Sequence, residues 1–372
     1  MKVLLIGQSV RHIARSAALA GHEVVAAECY CDLDLFDYAR EAIELSLAAG
    51  GGRLQLSAEE ISSLVDRIRP EAVVLGPGLE GIDLPAGPLV ANNPPRLAAQ
   101  VSDKLWLARW LDRQGFPAIP TSLLGESSVE PPFVVKPRRG AGGVGGRIVS
   151  DREGLLPAGS EMIVQPYIQG ISASVSLISD GERAVAIAAN EQLVGEGWLG
   201  ADGFLYCGNI TPLASSLGDA RKMMDIAEEI VGRLGLVGSN GIDFMLTEEG
   251  PVVVEVNPRF QGSLEAVELA TGMNVFEDHL AAFSGRLPRP APPRRTAGRA
   301  LAYASGDLTI DRDLRLDVEG LADVPRPGSR IARGGALASI LAVAGGRRLA
   351  LELLKMRKGQ LDKALGYQET AR

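Results

Sequence analysis

The sequence predicts an α/β protein in three parts, and three observations predict it. Short apolar runs alternate with amphipathic helical stretches over residues 1–99. A strand, a glycine-dense loop and a second strand follow at 133–149. A hairpin at 241–257 then carries Asp243, Glu255 and Asn257 on alternating positions. A length of 372 residues suits two or three such domains. The 44 glycines and 22 prolines follow no G-X-Y period and stand beside 46% hydrophobic residues, which excludes collagen and a disordered chain.

In chain order, 3–6 reads as a buried strand and 7–9 as a turn. A helix runs over 13–20 and ends at Gly21, and a strand covers 23–26. The run Gly50-Gly51-Gly52 reads as a flexible surface loop. A helix at 58–68 and a strand at 72–75, followed by Gly76-Pro77-Gly78, complete a βαβ pattern and so a small parallel sheet. The first turn holds one glycine where a dinucleotide fingerprint needs three, so no nicotinamide site is expected. Ser102 is the expected N-cap of a helix that carries Trp106 and Trp110 and ends at Gly115. Helices are expected at 219–234 and at 263–284, the latter ended by Gly285. Residues 288–293 form a stiff proline-rich linker, and 299–372 form a small α+β tail. There is no internal repeat.

The net charge of −8 argues against a nucleic-acid partner. The apolar stretch 336–344 falls short of the roughly 20 residues that span a bilayer, so no membrane partner is expected either. The first seven residues are too short for a leader's apolar core. Cys29, Cys31 and Cys207 lack a second pair for a structural zinc site, and reduced thiols in a cytoplasmic protein are expected.

Three constellations carry chemistry. In the first, a strand ends at Lys136 and Gly140, Gly142, Gly143, Gly145 and Gly146 follow. Glycines let backbone N–H groups close on phosphate oxygens without Cβ obstruction. No G-K-[ST] follows, so this is not a Walker loop, and taken alone a mobile surface hairpin fits as well. In the second, Lys104 sits in the first turn of a helix, where the macrodipole disfavours a cation by roughly 0.3–1 kcal/mol. By itself it also reads as a solvated lysine. The third is the hairpin. A three-residue loop Glu248-Glu249-Gly250, with Gly250 left-handed, would set Asp243 opposite Glu255, with Asn257 on the same face. Facing carboxylates repel, and a cation between them reverses the sign. Hard oxygen donors of this kind suit Mg²⁺.

Together these residues resemble the ATP-grasp superfamily, in particular its biotin carboxylase and carbamoyl-phosphate synthetase branch. The likeness covers nearly the whole chain. It implies a Rossmann-like N-terminal domain at 1–99 and a two-lobed ATP-grasp domain at 100–285, with a lid at about 125–165. A small C-terminal α+β domain at 286–372 would follow the proline-rich linker. Ser102-Asp103-Lys104 and Phe133-Val134-Val135-Lys136-Pro137 resemble the family's two ATP lysines. Residues 163–168 resemble its adenine hinge, where Gln165, Pro166, Tyr167 and Ile168 would receive the base through Pro166 C=O and Ile168 N–H. Asp243, with Glu255 and Asn257 of the run Glu255-Val256-Asn257-Pro258-Arg259, resembles the metal ligands. Arg259 and Lys136 would be catalytic. The resemblance implies ATP and two Mg²⁺ ions, with Mn²⁺ as a substitute. It also implies small-molecule carboxylate and amine substrates, and leaves a homodimer open. A phosphorylated carboxylate would then be captured by an amine. Ser263 stands where biotin carboxylases carry a catalytic Glu, which favours a carboxylate–amine ligase over a bicarbonate-using enzyme or a regulatory ATP-binding module. Candidate substrate contacts are Gln8, Ser9, Arg11, Asp32, Asp34, Glu80 and the segment 190–212, though for each an ordinary loop residue is the stronger reading. Cys29 and Cys31 could border the same cleft, though nothing in the sequence requires it.

Overall fold

The computed structural model describes residues 1–47, 54–84, 87–127, 129–151 and 161–367. Gly50-Gly51-Gly52 lies outside the described residues. The chain opens with β1 (Lys2–Ile6), α1 (Arg11–Leu19), β2 (Glu23–Glu28), β3 (Glu41–Glu44), α2 (Ala58–Ile68), β4 (Ala72–Leu75) and β5 (Leu89–Val90). These strands form a parallel sheet in the order β3-β2-β1-β4-β5. Both faces are covered, which is why β1, β2 and β4 read as unbroken apolar runs. Ser57 and Glu60 form a capping box at the start of α2.

Next come α3 (Pro95–Val101) and α4 (Lys104–Gln114). Here the expected cap shifts by one residue. Asp103 caps α4, its carboxylate accepting the Leu105 and Trp106 N–H groups, while Ser102 closes α3. Gly115 ends α4 at φ 77°.

A four-stranded antiparallel sheet follows, built of β6 (Ser122–Leu123), β7 (Phe133–Pro137), β8 (Arg147–Val149) and β9 (Met162–Pro166) in the order β6-β9-β7-β8. The glycine loop joins β7 to β8. Then come β10 (Ile171–Asp180), β11 (Ala184–Val194), β12 (Tyr206–Thr211), α5 (Leu217–Leu234), β13 (Val237–Thr247) and β14 (Gly250–Asn257). The expected helix at 263–284 is two helices, α6 (Leu264–Thr271) and α7 (Val275–Ala282). Gly272, left-handed at φ 79°, stops the first, and Asn274 caps the second.

The remaining elements are β15 (Thr296–Tyr303), β16 (Leu308–Thr309), β17 (Leu321–Ala322), β18 (Arg330–Ile331), β19 (Ala336–Ala344) and α8 (Arg347–Ala364). β15, β19 and β17 continue the central sheet, whose order is β14-β13-β10-β11-β12-β15-β19-β17. One face of this sheet is packed by α5 against Leu177, Ile242, Phe244 and Val256. Its other face is lined by polar side chains, and the site is built there.

Candidate active site

The register of the central sheet gathers the site. Asp243 pairs with Glu255 across β13–β14 and with Ser174 across β10–β13. Ser174 pairs with Asn190, Gln192 with Asn209, and Asn209 with Arg299. Directly paired residues share a face, so these side chains form one polar floor. The expected opposition of Asp243 and Glu255 is present, but its cause differs. The turn has two residues, with Thr247 paired to Gly250. A bulge next to Asp243 then shifts the register and brings Glu255 opposite.

A cavity of about 580 Å³ lies between this floor and the lid sheet. Lys104, Lys136, Gly140, Gly142, Gly143, Gln165, Pro166, Tyr167, Ile168, Asp243, Glu255, Asn257 and Arg259 all line it. These residues, singled out from sequence for ATP, metal or catalysis, therefore converge on one space, while Gly145 of the glycine run does not line it. The candidate substrate contacts divide. Gln192 and Asn209 line the cavity, while Gln8, Ser9, Arg11, Asp32, Asp34, Cys29 and Cys31 do not. Arg11 and Asp34 instead meet each other at 3.2 Å in a buried ion network. Glu80 reaches the site indirectly, with Oε1 3.2 Å from Arg259 Nε. Ser174, Tyr206 and Gln261 also line the cavity. Of these, Ser174 had a sequence signal, the Ser172, Ser174, Ser176 alternation of β10. Tyr206 fell within the candidate segment 190–212, and Gln261 had no signal.

Local geometry explains the close approach of the lid. Lys104 Nζ donates to the Gly140 carbonyl at 2.7 Å and sits 3.1 Å from Glu255 Oε2. The Tyr206 N–H donates to the Gly142 carbonyl at 3.1 Å. Gly143 is left-handed at φ 75°, and a Cβ there would collide with the Phe204 carbonyl oxygen. Only glycine lets the loop lie this near β12.

The charges are mutually perturbed. Burial depresses the Lys136 ammonium to about 8, despite the opposing pull of Glu255. Burial and the neighbouring Glu255 raise the Asp243 carboxyl. Burial would raise Glu255 too, but Lys104, Lys136 and Arg259 outweigh it and hold that carboxyl below its usual range. Asn257 Nδ2 donates to Asp243 Oδ2 at 3.2 Å, which leaves the Asn257 carbonyl oxygen free. Two carboxylates and one amide oxygen are a hard donor set that fits Mg²⁺. Among the described residues no three His, Cys, Asp or Glu side chains gather to hold a metal alone, so substrate phosphates would complete the shell.

A parallel and antiparallel sheet pair with a glycine lid over a carboxylate pair defines the class. Residues 101–263 match the family model described as ATP-grasp domain, so the chain carries an ATP-grasp domain. Its matches extend the likeness to ligases and carboxylases. An uncharacterised protein of Methanocaldococcus jannaschii is 24% identical over 361 residues, covering 92% of this chain and 88% of that one. The 3-methyl-D-ornithine–L-lysine ligase of Methanosarcina mazei is 27% identical over 174 residues, 46% of this chain and 44% of the ligase. The biotin carboxylase domain of the Hydrogenobacter thermophilus 2-oxoglutarate carboxylase, a dimer in complex with MgADP, ADP and bicarbonate, superposes with a TM-score of 0.75 at 17% identity. That match covers 96% of this chain and 89% of that one, and it shows the shared fold. The protein is an ATP-grasp enzyme of the ligase type. Among the described residues no helix is long and apolar enough to cross a membrane.

Proposed function

We propose that this chain is an ATP-dependent carboxylate–amine ligase that works through an acyl phosphate and releases ADP and phosphate. The observation that carries this reading is the convergence of Lys104, Lys136 and Arg259 with Asp243, Glu255 and Asn257 under one glycine lid. In the first step a substrate carboxylate oxygen attacks the γ-phosphorus of ATP and ADP leaves. In the second an amine attacks the acyl carbon and phosphate leaves.

Both steps bring anions together, so positioning and electrostatic stabilisation dominate. Lys104 and Lys136 hold phosphate oxygens, and Lys136, already stripped of water, gains most from that contact. Arg259, steadied by Glu80, faces the carboxylate undergoing transfer. Gln165, Pro166, Tyr167 and Ile168 receive the adenine, and Gly140, Gly142 and Gly143 close over the phosphates and exclude water from the acyl phosphate. Asp243, Glu255 and Asn257 would hold two Mg²⁺ ions, with Mn²⁺ as a substitute, and these would supply neutralisation of phosphate charge. The Ser263 hydroxyl, 3.0 Å from that of Ser176, offers no carboxylate base for bicarbonate.

On the same footing we propose domains at 1–99, 100–285 (lid about 125–165) and 286–372. We also propose a cytoplasmic location and a homodimer, the last checked by light scattering. The function is tested by screening small carboxylic acids with amines for ADP release, then weighing the product. The expected product is an amide formed only when acid, amine and Mg·ATP are all present. ADP release that needs bicarbonate and no amine would overturn the reading.

A further inference from the structure

We propose that Gln192 and Gln261 hold the attacking amine in its neutral form, so that the enzyme selects weakly basic amines of the α-amino type over strongly basic alkylamines. This deepens the ligase function above and rests on it.

The cavity's charge makes the case. Its charged lining is three cations, Lys104, Lys136 and Arg259, and two anions, Asp243 and Glu255. Both anions lie among those cations or face the metal position. Glu80, a carboxylate outside the lining, is taken by Arg259. Among the described residues that line the cavity, no carboxylate is left to anchor an ammonium group.

What the cavity offers instead is a pair of amide oxygens. Gln192 Nε2 donates to Asp243 Oδ1 at 2.9 Å. Gln261 Nε2 donates to the Arg259 carbonyl. Both partners are acceptors, so the chemistry settles which end of each amide is nitrogen. Each Oε1 is therefore left as an acceptor on a residue that lines the cavity. Gly241 makes the second placement possible. A Cβ there would lie 2.6 Å from Gln261 Cγ and 3.1 Å from its Oε1. The missing side chain lets Gln261 fold down on the floor beside Asn257, which pairs with Gly241.

A neutral carbonyl oxygen takes an N–H from an uncharged amine and leaves the nitrogen lone pair free. That lone pair forms the C–N bond to the acyl carbon. The C–O bond to phosphate breaks, phosphate leaves with the electron pair, and the surplus amine proton passes to it. An α-amino group, with a pKa of about 7.7–8.0, is substantially neutral near pH 7.5, whereas an alkylamine near 10.4 is neutral in only about one molecule in a thousand.

The test uses the full chain with Mg·ATP and a panel of small carboxylic acids. Glycinamide serves as the weakly basic amine and ethylamine as the strongly basic one. ADP is measured and products are weighed at several pH values. Glycinamide is expected to exceed ethylamine in kcat/KM at pH 7.5 by at least about tenfold, with its apparent KM falling as its neutral fraction rises. Gln261→Leu should raise the KM for glycinamide and leave the KM for ATP in place. Gln261→Glu, nearly the same shape, should lower the KM for ethylamine, an inversion that a merely structural role would not produce. Equal use of both amines by the unmodified enzyme, or an unchanged order in Gln261→Glu, would overturn the proposal. Acid-dependent ADP release with neither amine incorporated would overturn the amine subsite alone. No acid-dependent ADP release at all would remove the ligase function and this proposal with it.

Discussion

Two clusters of buried charge in this molecule use the same residue types to opposite ends. In the first, Arg11 grips both oxygens of Glu265 at 2.6 Å and meets Asp323 at 2.9 Å. Arg299 meets Asp323 at 2.7 Å, and Asp34 accepts the N–H groups of Asp323 and Val324. Arg11 and Arg299 hold Asp323 well below the usual carboxylate range against its burial, whereas burial raises the Asp34 carboxyl despite Arg11 beside it. The second cluster, in the cavity, is left unfinished. Burial depresses Lys136 there, and burial with a facing carboxylate raises Asp243. The lesson is that completeness, not charge, separates structure from function. The first cluster ties α1 near the start of the chain to α6, to β15 and to the loop after β17, while the second leaves its phosphate and metal contacts for ligands to make.

Mutation should break this comparison most sharply at the carboxylate side of the cavity. Glu255→Ala or Asn257→Ala should lower Mg-dependent ATP turnover by on the order of 10²–10³-fold, with the melting temperature held. Turnover assays beside calorimetry check both halves, and full activity in either variant would defeat the metal assignment. Arg11→Ala should do the reverse. It leaves Glu265 and Asp323 without a partner and should cost about 3–5 kcal/mol in denaturant unfolding. An unchanged midpoint would show that the network is not structural.

Acid sensitivity is a third, smaller effect. His279 is buried, and burial lowers its imidazole to about 4. Its Nδ1 accepts the Ser239 N–H at 2.8 Å, a bond that protonation would break. A depressed folded-state value means that its contribution is complete above about 6.5 and is lost as pH falls through about 4. That window spans roughly 3 kcal/mol. Urea midpoints measured between pH 7 and 4 should fall, and His279→Gln should flatten the slope. The mildest effect concerns the lid. Gly143→Ala should keep the loop off Phe204 and raise the KM for ATP by about tenfold. Unchanged nucleotide kinetics would mean that the loop closes some other way.

The charged half of the cavity was legible in the sequence because its chemistry lies in local patterns. Lys104 at a helix start, Lys136 before a glycine run and the alternation of Glu255 and Asn257 each show within a few residues. The uncharged half was legible only in part: Gln192 and Asn209 stood among the candidate substrate contacts, but their mutual placement is assembled by register across four strands. Gln192 meets Asn209 and Asp243 only once β11, β12, β10 and β13 have paired. The opposition of Asp243 and Glu255 was expected from a three-residue loop. It arises from a bulge, which sequence periodicity does not reveal. Glycine misled once and helped often. Gly272 splits an expected long helix, while Gly21, Gly115 and Gly143 stand where left-handed backbone is required.

The central claim is that this cavity passes the γ-phosphoryl group to a carboxylate. Oxygen-18 tests it most directly. The acid that supports ADP release is labelled in its carboxylate, turned over with Mg·ATP and the amine, and the released phosphate is weighed. An acyl phosphate carries one labelled oxygen into each phosphate released, and that is the predicted result. Unlabelled phosphate, with ADP formed at the same rate, would contradict the account.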